Sequence, residues 1–317
     1  MNQDRQKTVT ERDFSAASYE RHAQVYADYA AGGAKSGTAQ AWLRPGTINT
    51  WRFERMYACA DPLLDAFPGA SWLTVGDGRH GMDAIYLQAH GGRALATDIS
   101  GILLEESRAK GLIADYRVEN AEALSFGDNS FEFVLCKESY HHFPRPMRAL
   151  YEMLRVASHA VLLIEPNDQA CPQGTVVTLS RLAKNLIKKI LRRSTDYHGF
   201  EVAGNYEYSV SRREMEKVAL GIGLRTVAFK GVNDYYLPGV EFEPADSGSA
   251  MFRKVSRKIA CNDLLCRLGI NLPSLLGAII FKESPSESVR DALHRHGYEV
   301  VDLPENPYLS ATSSSGI

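Results

Sequence analysis

Three glycines and an aspartate are spaced as in a nucleotide-binding loop. Gly76, Gly78 and Gly81 form a Gly-x-Gly-x-x-Gly pattern between the apolar stretch SWLT and the helix-like stretch AIYLQAHG. Glycines let a backbone approach a ligand closely, and the start of a helix offers free N–H groups. Asp98 ends the next apolar stretch, where a carboxylate can accept hydrogen bonds from both ribose hydroxyls. This pattern fits NAD and S-adenosylmethionine (SAM) equally well.

Two adjacent histidines are the side chains best suited to move a proton. His141 and His142 follow closely after the apolar stretch FEFVLC. Histidine titrates near about pH 6.5, so a neutral imidazole is able to take the proton of a hydroxyl group. Ligands of open α/β sheets bind outside the carboxyl ends of the strands, where we expect this pair to lie. A purely structural hydrogen-bonding role is the alternative.

These residues need a scaffold of alternating strands and helices. The sequence predicts strands at SWLTVG, RALATD, DYRVEN, FEFVLC and HAVLLIEP, and helices over 82–90, 101–110, PMRALYEMLRVA and SRREMEKVALGIG. Mostly apolar strands joined by helices indicate a parallel sheet covered on both faces. Two further strands are predicted at LRTVAFKG and LGAIIFKE. No helix-and-loop crossover of the same kind joins them, so we expect them to pair antiparallel. The predicted fold class is α/β, with a Rossmann-like sheet.

The segment over residues 118–166 separates the two nucleotides. It resembles the class I SAM-dependent methyltransferases, in particular the broad methyltransferase type 11 group of small-molecule and sugar methyltransferases. The pieces that carry the resemblance are NAEALSF, DNSFEFVL, YHHF, EMLRV and AVLLIEP. The resemblance covers residues 70–167 well and 205–230 loosely, and it implies SAM as the cofactor.

Several residues are expected to contact the cofactor, most of them on the family pattern. The glycines would lie against the methionine moiety, Asp98 would hold the ribose, and Asn120 with Ala121 would frame the adenine. The full expected set is Gly76, Asp77, Gly78, Asp98, Ile99, Asn120, Ala121, Lys137 and Arg52. The sequence departs from the family at Thr74, where an acid is usual, and at Asn120, where Asp is common. The glycine loop is one residue longer than the common form, which leaves the contacts of Arg79 and His80 open.

Charged residues near these motifs have competing interpretations. Arg52, ahead of the sheet, is expected to pair with the SAM carboxylate. Lys137 would either neutralise an anionic ligand or form a surface salt bridge. Glu165 and Asp168 are the residue types that join a histidine around a hard cation, but their spacing matches no metal signature, and no metal is predicted.

Composition and charge narrow the class of protein further. The chain has 317 residues, 44% of them hydrophobic, and a net charge of −2, which gives ample core and argues against a general nucleic-acid binder. No apolar run approaches the ~18–20 residues that span a bilayer, and the polar N-terminus lacks the apolar core of a signal peptide. We therefore expect a soluble, cytoplasmic protein. Residues 1 to about 15 and the closing SATSSSGI are expected to fray.

A single domain over residues 1–317 is predicted. It would comprise a helical lid (1–70), a SAM-binding core (71–167), acceptor-side insertions with the last strands (168–283) and a C-terminal extension (284–317). The lid would hold two helices, SYERHAQVYADYAAGG and TINTWRFERMYACADPLLDAF, separated by the Gly-rich loop AAGGAKSG. Three lid tyrosines would either cover the cofactor or pack in the core: Tyr19, Tyr26 and Tyr29.

A further predicted helix, residues 178–193, carries leucines and isoleucines on one face and basic residues on the other. Two interpretations are open for it. Its apolar face would pack against the protein with the basic face solvated, or the helix would contact a membrane surface or an anionic polymer.

The predicted reaction is methyl transfer to a hydroxyl of a sugar, a surface polysaccharide or a polar small molecule. The two long insertions, 166–211 and 231–275, mix aromatic and polar residues, which suits such acceptors. His141 or His142 would act as the base, and the family pattern favours His142 as packed and His141 as nearer the acceptor. The alternatives are N-methylation of a small amine, and a SAM-binding protein without methyl transfer in a biosynthetic complex.

Overall fold

The computed structural model describes residues 11–32, 34–171, 174–191, 199–201 and 205–308. The expected fraying of residues 1–10 and 310–317 lies outside these ranges. Residues 11–15 were also expected to fray, but they form the start of the first helix.

One mixed sheet of eight strands organises the described residues. The strands are β1 (Ser71–Val75), β2 (Arg93–Asp98), β3 (Tyr116–Val118), β4 (Phe131–Lys137), β5 (Ala157–Pro166), β6 (Thr226–Val232), β7 (Leu275–Phe281) and β8 (Glu299–Asp302). Their order is β3-β2-β1-β4-β5-β7-β6-β8. The first five strands run parallel, and β7 pairs antiparallel with both β5 and β6. The predicted Rossmann-like sheet and the predicted antiparallel pair are confirmed.

Helices cover both faces of the sheet. Beyond the lid they are α5 (Met82–Ala89), α6 (Ile102–Ala109), α7 (Pro146–Val156), α8 (Thr175–Ile190), α9 (Arg212–Gly221), α10 (Ala250–Arg267) and α11 (Glu287–Arg295). On one face Met153 and Met215 pack with Val134 in a fully buried cluster. On the other, Trp72 stacks on Phe133 with ring centroids 4.7 Å apart. Burial on both faces explains why the central strands are almost continuously apolar.

Within residues 11–32 and 34–70, the structure has four helices where two were predicted: α1 (Glu11–Ala30), α2 (Ala34–Trp42), α3 (Ile48–Tyr57) and α4 (Asp61–Ala66). Part of the expected Gly-rich loop is the first turn of α2, because Trp42 buries its ring against Leu103 and packing outweighs the low helix propensity of Gly37. The second predicted helix is broken before Pro62. Proline cannot continue a helix but is tolerated in a first turn, where it begins α4.

The C-terminal extension is part of the sheet, which the sequence did not indicate. Helix α11 packs its buried Leu293 against the core, and β8 adds an edge strand beside β6. The buried Tyr298 hydroxyl donates to the carbonyl of Cys59 at 2.8 Å, which ties this extension to the segment between α3 and α4. Strand β8 has four residues, too few for a period-2 pattern to stand out.

Among the described residues, no helix combines the length and the apolar character needed to cross a membrane.

Leu293→Ala should destabilise the protein by about 2–5 kcal/mol, because it removes a fully buried side chain and leaves a cavity. Urea unfolding followed by circular dichroism measures this change. Leu112→Ala, at a side chain that is 38% exposed, is the matched control and should cost less than about 1 kcal/mol. Equal effects of the two substitutions would show that the C-terminal extension does not contribute to the core.

Candidate active site

The glycine loop between β1 and α5 is held by a buried carboxylate. Asp77 accepts hydrogen bonds from the backbone N–H groups of Asp83 (3.1 Å) and Ala84 (3.0 Å), at the start of α5, and from the Thr74 hydroxyl (2.8 Å). Burial and the nearby Asp83 carboxylate raise the pKa of Asp77 well above its usual range. The Asp77 carboxylate therefore holds the loop and the helix together. Asp77 also lines the cavity that Arg79 and Lys137 line, and its contact with a cofactor stays a prediction. Thr74 serves this network in place of the usual acid.

Two of the glycines are required by close approach. A Cβ atom at Gly78 would lie 2.5 Å from the Tyr26 ring and 2.7 Å from the Asp98 carboxyl. A Cβ atom at Gly76, whose φ is 79°, would clash with Ser139. The Ser139 hydroxyl donates to the Gly76 carbonyl at 2.7 Å. The loop thus lies directly against the ends of β2 and β4, as the motif predicts.

The first cavity lies between this loop and the lid helix α1, and it encloses about 50 Å³ of free space. The predicted residues Gly76, Asp98, Ile99 and Ala121 line it. Asn120 is not among its lining residues. The Asn120 side chain accepts a hydrogen bond from the Glu122 backbone at 2.9 Å, and its neighbour Glu119 lines the cavity instead.

Asp98 presents a buried carboxylate at the first cavity. Its side chain is 6% exposed and accepts from the Ser100 backbone N–H at 2.8 Å. Burial raises the pKa of Asp98 to about 7, although the backbone N–H groups of Ser100, Gly78 and Ile99 act in the opposite direction. A buried acceptor of this kind is suited to a ligand that donates hydrogen bonds, such as a ribose.

The tyrosines of α1 line the first cavity or pack in the core, and Tyr26 does both. Tyr19 and Tyr26 line the first cavity. Tyr26 and Tyr29 also pack against the cluster formed by Trp42 of α2 and Leu103 of α6. The core packing of α1 therefore holds Tyr19 and Tyr26 at the first cavity.

The second cavity adjoins the first and has a charged wall. Lys137 is 6% exposed, and its ammonium group lies 3.4 Å from Asp83 Oδ1 and 4.4 Å from the centroid of the Phe53 ring. Tyr57 donates to the same Asp83 oxygen at 2.9 Å. The surface salt bridge considered for Lys137 is thus a buried one. Arg79, whose contacts the sequence left open, lines the same cavity.

Arg52 does not take the predicted position. Its Nε atom donates to Asp234 Oδ1 at 2.7 Å, and its Nη2 atom also bonds that carboxylate. The guanidinium is 4% exposed and lies 5.2 Å from the centroid of the Tyr236 ring. Arg52 lines neither cavity. A bidentate pair with a carboxylate already satisfies the guanidinium, so this arrangement does not support the predicted pairing of Arg52 with the SAM carboxylate.

The two histidines are placed in the reverse of the expected order. His142 is 34% exposed and lines both cavities, whereas His141 is 12% exposed and lines neither. The Nδ1 atom of His141 lies 2.7 Å from Glu165 Oε2. Burial opposes protonation of His141, but its hydrogen bond to Glu165 and the charges of Glu165, Glu138 and Glu201 outweigh it and raise the pKa. His142 is therefore the histidine that a ligand would meet.

His142 has partners that the sequence did not reveal. Its Nδ1 atom lies 2.5 Å from Glu201 Oε1, and Asn205 donates to its backbone carbonyl at 2.6 Å. On the lid helix, His22 Nε2 lies 3.8 Å from the other Glu201 oxygen. Burial raises the pKa of Glu201, but the hydrogen bond from His142 and the neighbouring imidazoles outweigh it, so the pKa is lowered. Glu201 is thus held ionised between the lid and the base candidate.

Glu165, which the sequence offered as a candidate metal ligand, makes hydrogen bonds within the protein. Its Oε1 atom accepts from the backbone N–H groups of Ser139 and Tyr140, both at 2.9 Å, and its Oε2 atom bonds His141. Asp168 accepts from the Ala170 backbone at 2.6 Å. In the part of the chain that the structure describes, no three His, Cys, Asp or Glu residues are grouped to hold a metal.

Together the sheet order, the glycine loop and the buried acid after β2 define a class I methyltransferase site. Residues 73–164 match the methyltransferase type 11 family model, described as "Methyltransferase domain". The resemblance to the SAM-dependent methyltransferases is confirmed over these residues. The chain contains a SAM-dependent methyltransferase domain of class I, the protein is an enzyme of that class, and its cofactor is SAM.

Similar solved structures have low sequence identity. A methyltransferase in complex with the Trm112 methyltransferase activator of Haloferax volcanii is 14% identical over 80% of this chain and 96% of that chain, with a TM-score of 0.46. The (4+2)-cyclase SpnF is 16% identical over 77% of this chain and 86% of that chain, with a TM-score of 0.48. A SAM-dependent methyltransferase from Thermotoga maritima is 13% identical over 84% of this chain and 99% of that chain, with a TM-score of 0.46. No curated protein matches the sequence.

Asp98→Asn should weaken SAM binding by about 1–3 kcal/mol, because it replaces a charge-assisted acceptor with an amide. The loss should grow as the pH rises through about 7, where the carboxylate of the native protein becomes ionised. Calorimetry with SAM across this range measures it. Asp115→Asn, at an exposed position, is the control. A pH-independent difference between the wild type and Asp98→Asn would contradict the assignment.

Asp98→Asn should stabilise the unliganded protein against unfolding, although it weakens SAM binding. Between about pH 4, where an exposed Asp titrates, and about pH 7, native Asp98 keeps a proton that the unfolded chain releases. The native state binds more protons in that window, so this residue makes stability fall as pH rises. Asp98→Asn should therefore raise the melting temperature more at pH 8 than at pH 5. A larger gain at pH 5 would exclude a raised pKa.

Tyr26→Ala should accelerate SAM dissociation, on the order of tenfold, because it removes the ring that closes the first cavity over Gly78. Stopped-flow fluorescence measures the rate. Tyr151→Ala, at an exposed tyrosine of α7, should leave it unchanged. An unaltered dissociation rate in Tyr26→Ala would show that α1 is not a lid.

Proposed function

We propose that this protein transfers the methyl group of SAM to a hydroxyl of a sugar, a surface polysaccharide or another polar small molecule, with His142 as the base. The proposal rests on the position of His142 and on its hydrogen bond. His142 lines both cavities, and its Nδ1 atom is bonded to the Glu201 carboxylate. A carboxylate on one ring nitrogen fixes the tautomer and leaves the other nitrogen free to accept a proton.

The residues around the two cavities fit the cofactor. Asp98 offers a buried acceptor for the ribose hydroxyls, and Ile99 offers apolar surface for the adenine. Arg79 lines the second cavity and would hold the SAM carboxylate in place of Arg52, whereas Lys137 in the same cavity already neutralises Asp83. When bound, SAM supplies a methyl group that its positively charged sulfur has already activated. The protein therefore has to align the acceptor, exclude water and remove a proton.

His142 Nε2 would accept the proton of the acceptor hydroxyl while Nδ1–H remains bonded to Glu201. The resulting imidazolium would be stabilised by that carboxylate, whose lowered pKa keeps it ionised. His141 fits this role less well, because it lines neither cavity and the Glu165 carboxylate favours its protonated form. His141 is a positioning residue, with its ring centroid 3.9 Å from that of His142.

Aromatic side chains beside this pair support a carbohydrate acceptor. Tyr208 donates its backbone N–H to the His141 carbonyl at 3.2 Å. Its ring lies 5.0 Å from that of Tyr206, which lies 5.7 Å from that of Phe200. Phe200 is 74% exposed. The exposed Phe200 ring and the half-buried rings of Tyr206 and Tyr208 offer stacking surface for the C–H faces of a sugar, and the tyrosine hydroxyls offer hydrogen bonds to its hydroxyls.

Purified protein with SAM should methylate a member of a panel of nucleotide sugars and glycans, detected by mass spectrometry. His142→Gln and Glu201→Gln should each lower turnover, the first by about 10²–10⁴-fold, because the base is lost. Both should retain SAM binding. His90→Gln, at an exposed histidine directly after α5, is the control and should leave turnover unchanged.

Two outcomes would redirect the proposal. If His142→Gln retained full turnover and the responsive acceptor were an amine, the reaction would be N-methylation, in which a base matters less. If SAM bound with the expected dependence on Asp98 and no acceptor of any class were methylated, the protein would act as a SAM-binding component of a biosynthetic complex.

A further inference from the structure

Helix α8 presents its apolar face to solvent. No residue of the helix is buried. Each of its large apolar side chains on this face is 56–70% exposed: Val176, Leu179, Leu182, Leu186, Ile187, Ile190 and, just beyond the helix, Leu191. A surface helix of a globular protein normally turns such a stripe toward the core. Of the two interpretations that the sequence leaves open for this helix, the described residues do not support packing of the stripe against the protein.

The polar face of α8 is the one that contacts the protein. Arg181 donates to the Ala170 carbonyl, and Lys184 donates to the Asn271 side chain. A cavity of about 330 Å³ lies beneath the helix, and Arg181, Lys184, Asn185 and Lys188 line it. The helix is thus held by its polar residues, and the orientation of its apolar stripe away from the body follows from these contacts.

The end of α10 extends the apolar surface. Leu264 is 57% exposed and Leu268 58% exposed. A Cβ atom at Gly269, the next residue, would lie 4.0 Å from Cβ of Val176, so the end of α10 adjoins the start of α8. Soluble monomers rarely expose contiguous apolar surface on this scale unless something binds it.

The charges around this surface identify what covers it. Helix α8 contains no acidic residue, and at 100° per residue Lys184 and Lys189 fall on opposite borders of its apolar stripe. On α10, the exposed Arg267 directly precedes Leu268, and the exposed Arg253 and Arg257 fall on the same helix face as Leu264 and Leu268. A second copy of this surface would bring like charges together, which is unfavourable. A partner that complements this surface has an anionic outer layer over an apolar interior, and an anionic phospholipid bilayer has both.

We propose that α8 and the end of α10 dock this protein onto anionic phospholipid membranes, with α8 lying in the plane of the interface. The helix has 16 residues and is about 24 Å long, and its large apolar stripe and bordering lysines are typical of interfacial helices. This surface is separate from both cavities, so the inference goes beyond the proposed reaction and does not depend on it.

Co-sedimentation of the full chain with vesicles tests the proposal. The protein should bind vesicles of phosphatidylcholine with phosphatidylglycerol, should bind phosphatidylcholine alone far more weakly, and should be released by salt. The double variant Leu186→Ser with Ile190→Ser should lower the partition coefficient by at least about tenfold, because two inserted side chains are lost. Ile222→Ser, at a 45% exposed isoleucine at the end of α9, is the matched control.

A charge variant separates the two components of binding. Lys189→Gln with Arg257→Gln should weaken binding to the anionic vesicles severalfold and leave the weak binding to phosphatidylcholine unchanged. Lys217→Gln, at an exposed lysine of α9, should change neither. Retained calorimetric SAM binding in every variant shows that the fold is intact and that the result is distinct from failure of the active site.

Three results would overturn the proposal. The first is absence of binding to either vesicle. The second is concentration-dependent self-association that Leu186→Ser abolishes, which would identify a second copy as the occupant. The third is unfolding of the Leu186→Ser, Ile190→Ser variant, which would show that these side chains are covered by the protein itself.

Discussion

The buried Glu165 carboxylate is the contact on which the geometry of the active site depends. It lies at the end of β5 with no exposed surface, and it accepts hydrogen bonds from two backbone N–H groups of the turn after β4. A buried carboxylate is costly unless its oxygens are satisfied, so the turn has little freedom to move. Ser139 is thereby placed to bond Gly76, and His142 to face both cavities. Loss of this carboxylate would release the loop, the turn and His141 together.

The parts of the structure that follow from local sequence could be predicted. The parallel strands are continuous apolar runs, and the glycines around Gly76 with Asp98 occupy fixed positions relative to a strand and a helix. The partners of these residues could not be predicted, because they depend on tertiary contacts. Arg52 is paired with Asp234, 182 positions later, and His142 with Glu201, 59 positions later. A single sequence contains no local pattern that joins such pairs.

The errors in helix placement have the same origin. Gly37 lies within α2 because Trp42 gains more from burial than the glycine costs. Helix α8 has the period of a packed amphipathic helix, and its period was predicted correctly. Which face meets the protein depends on Arg181 and Lys184 finding acceptors at Ala170 and Asn271, and periodicity contains no information about that choice.

His22 on α1 connects the wall of the first cavity to the partners of His142. His22 contacts Glu201 and also lies 2.9 Å from the Asn205 amide, which in turn holds the His142 carbonyl. A displacement of α1 would separate those contacts, and the Glu201 carboxylate would lose a neighbour. If His142 is the base proposed above, its partner is held from both sides only while α1 covers the first cavity. In that reaction, enclosure of the nucleotide and alignment of the proton acceptor would share one set of hydrogen bonds.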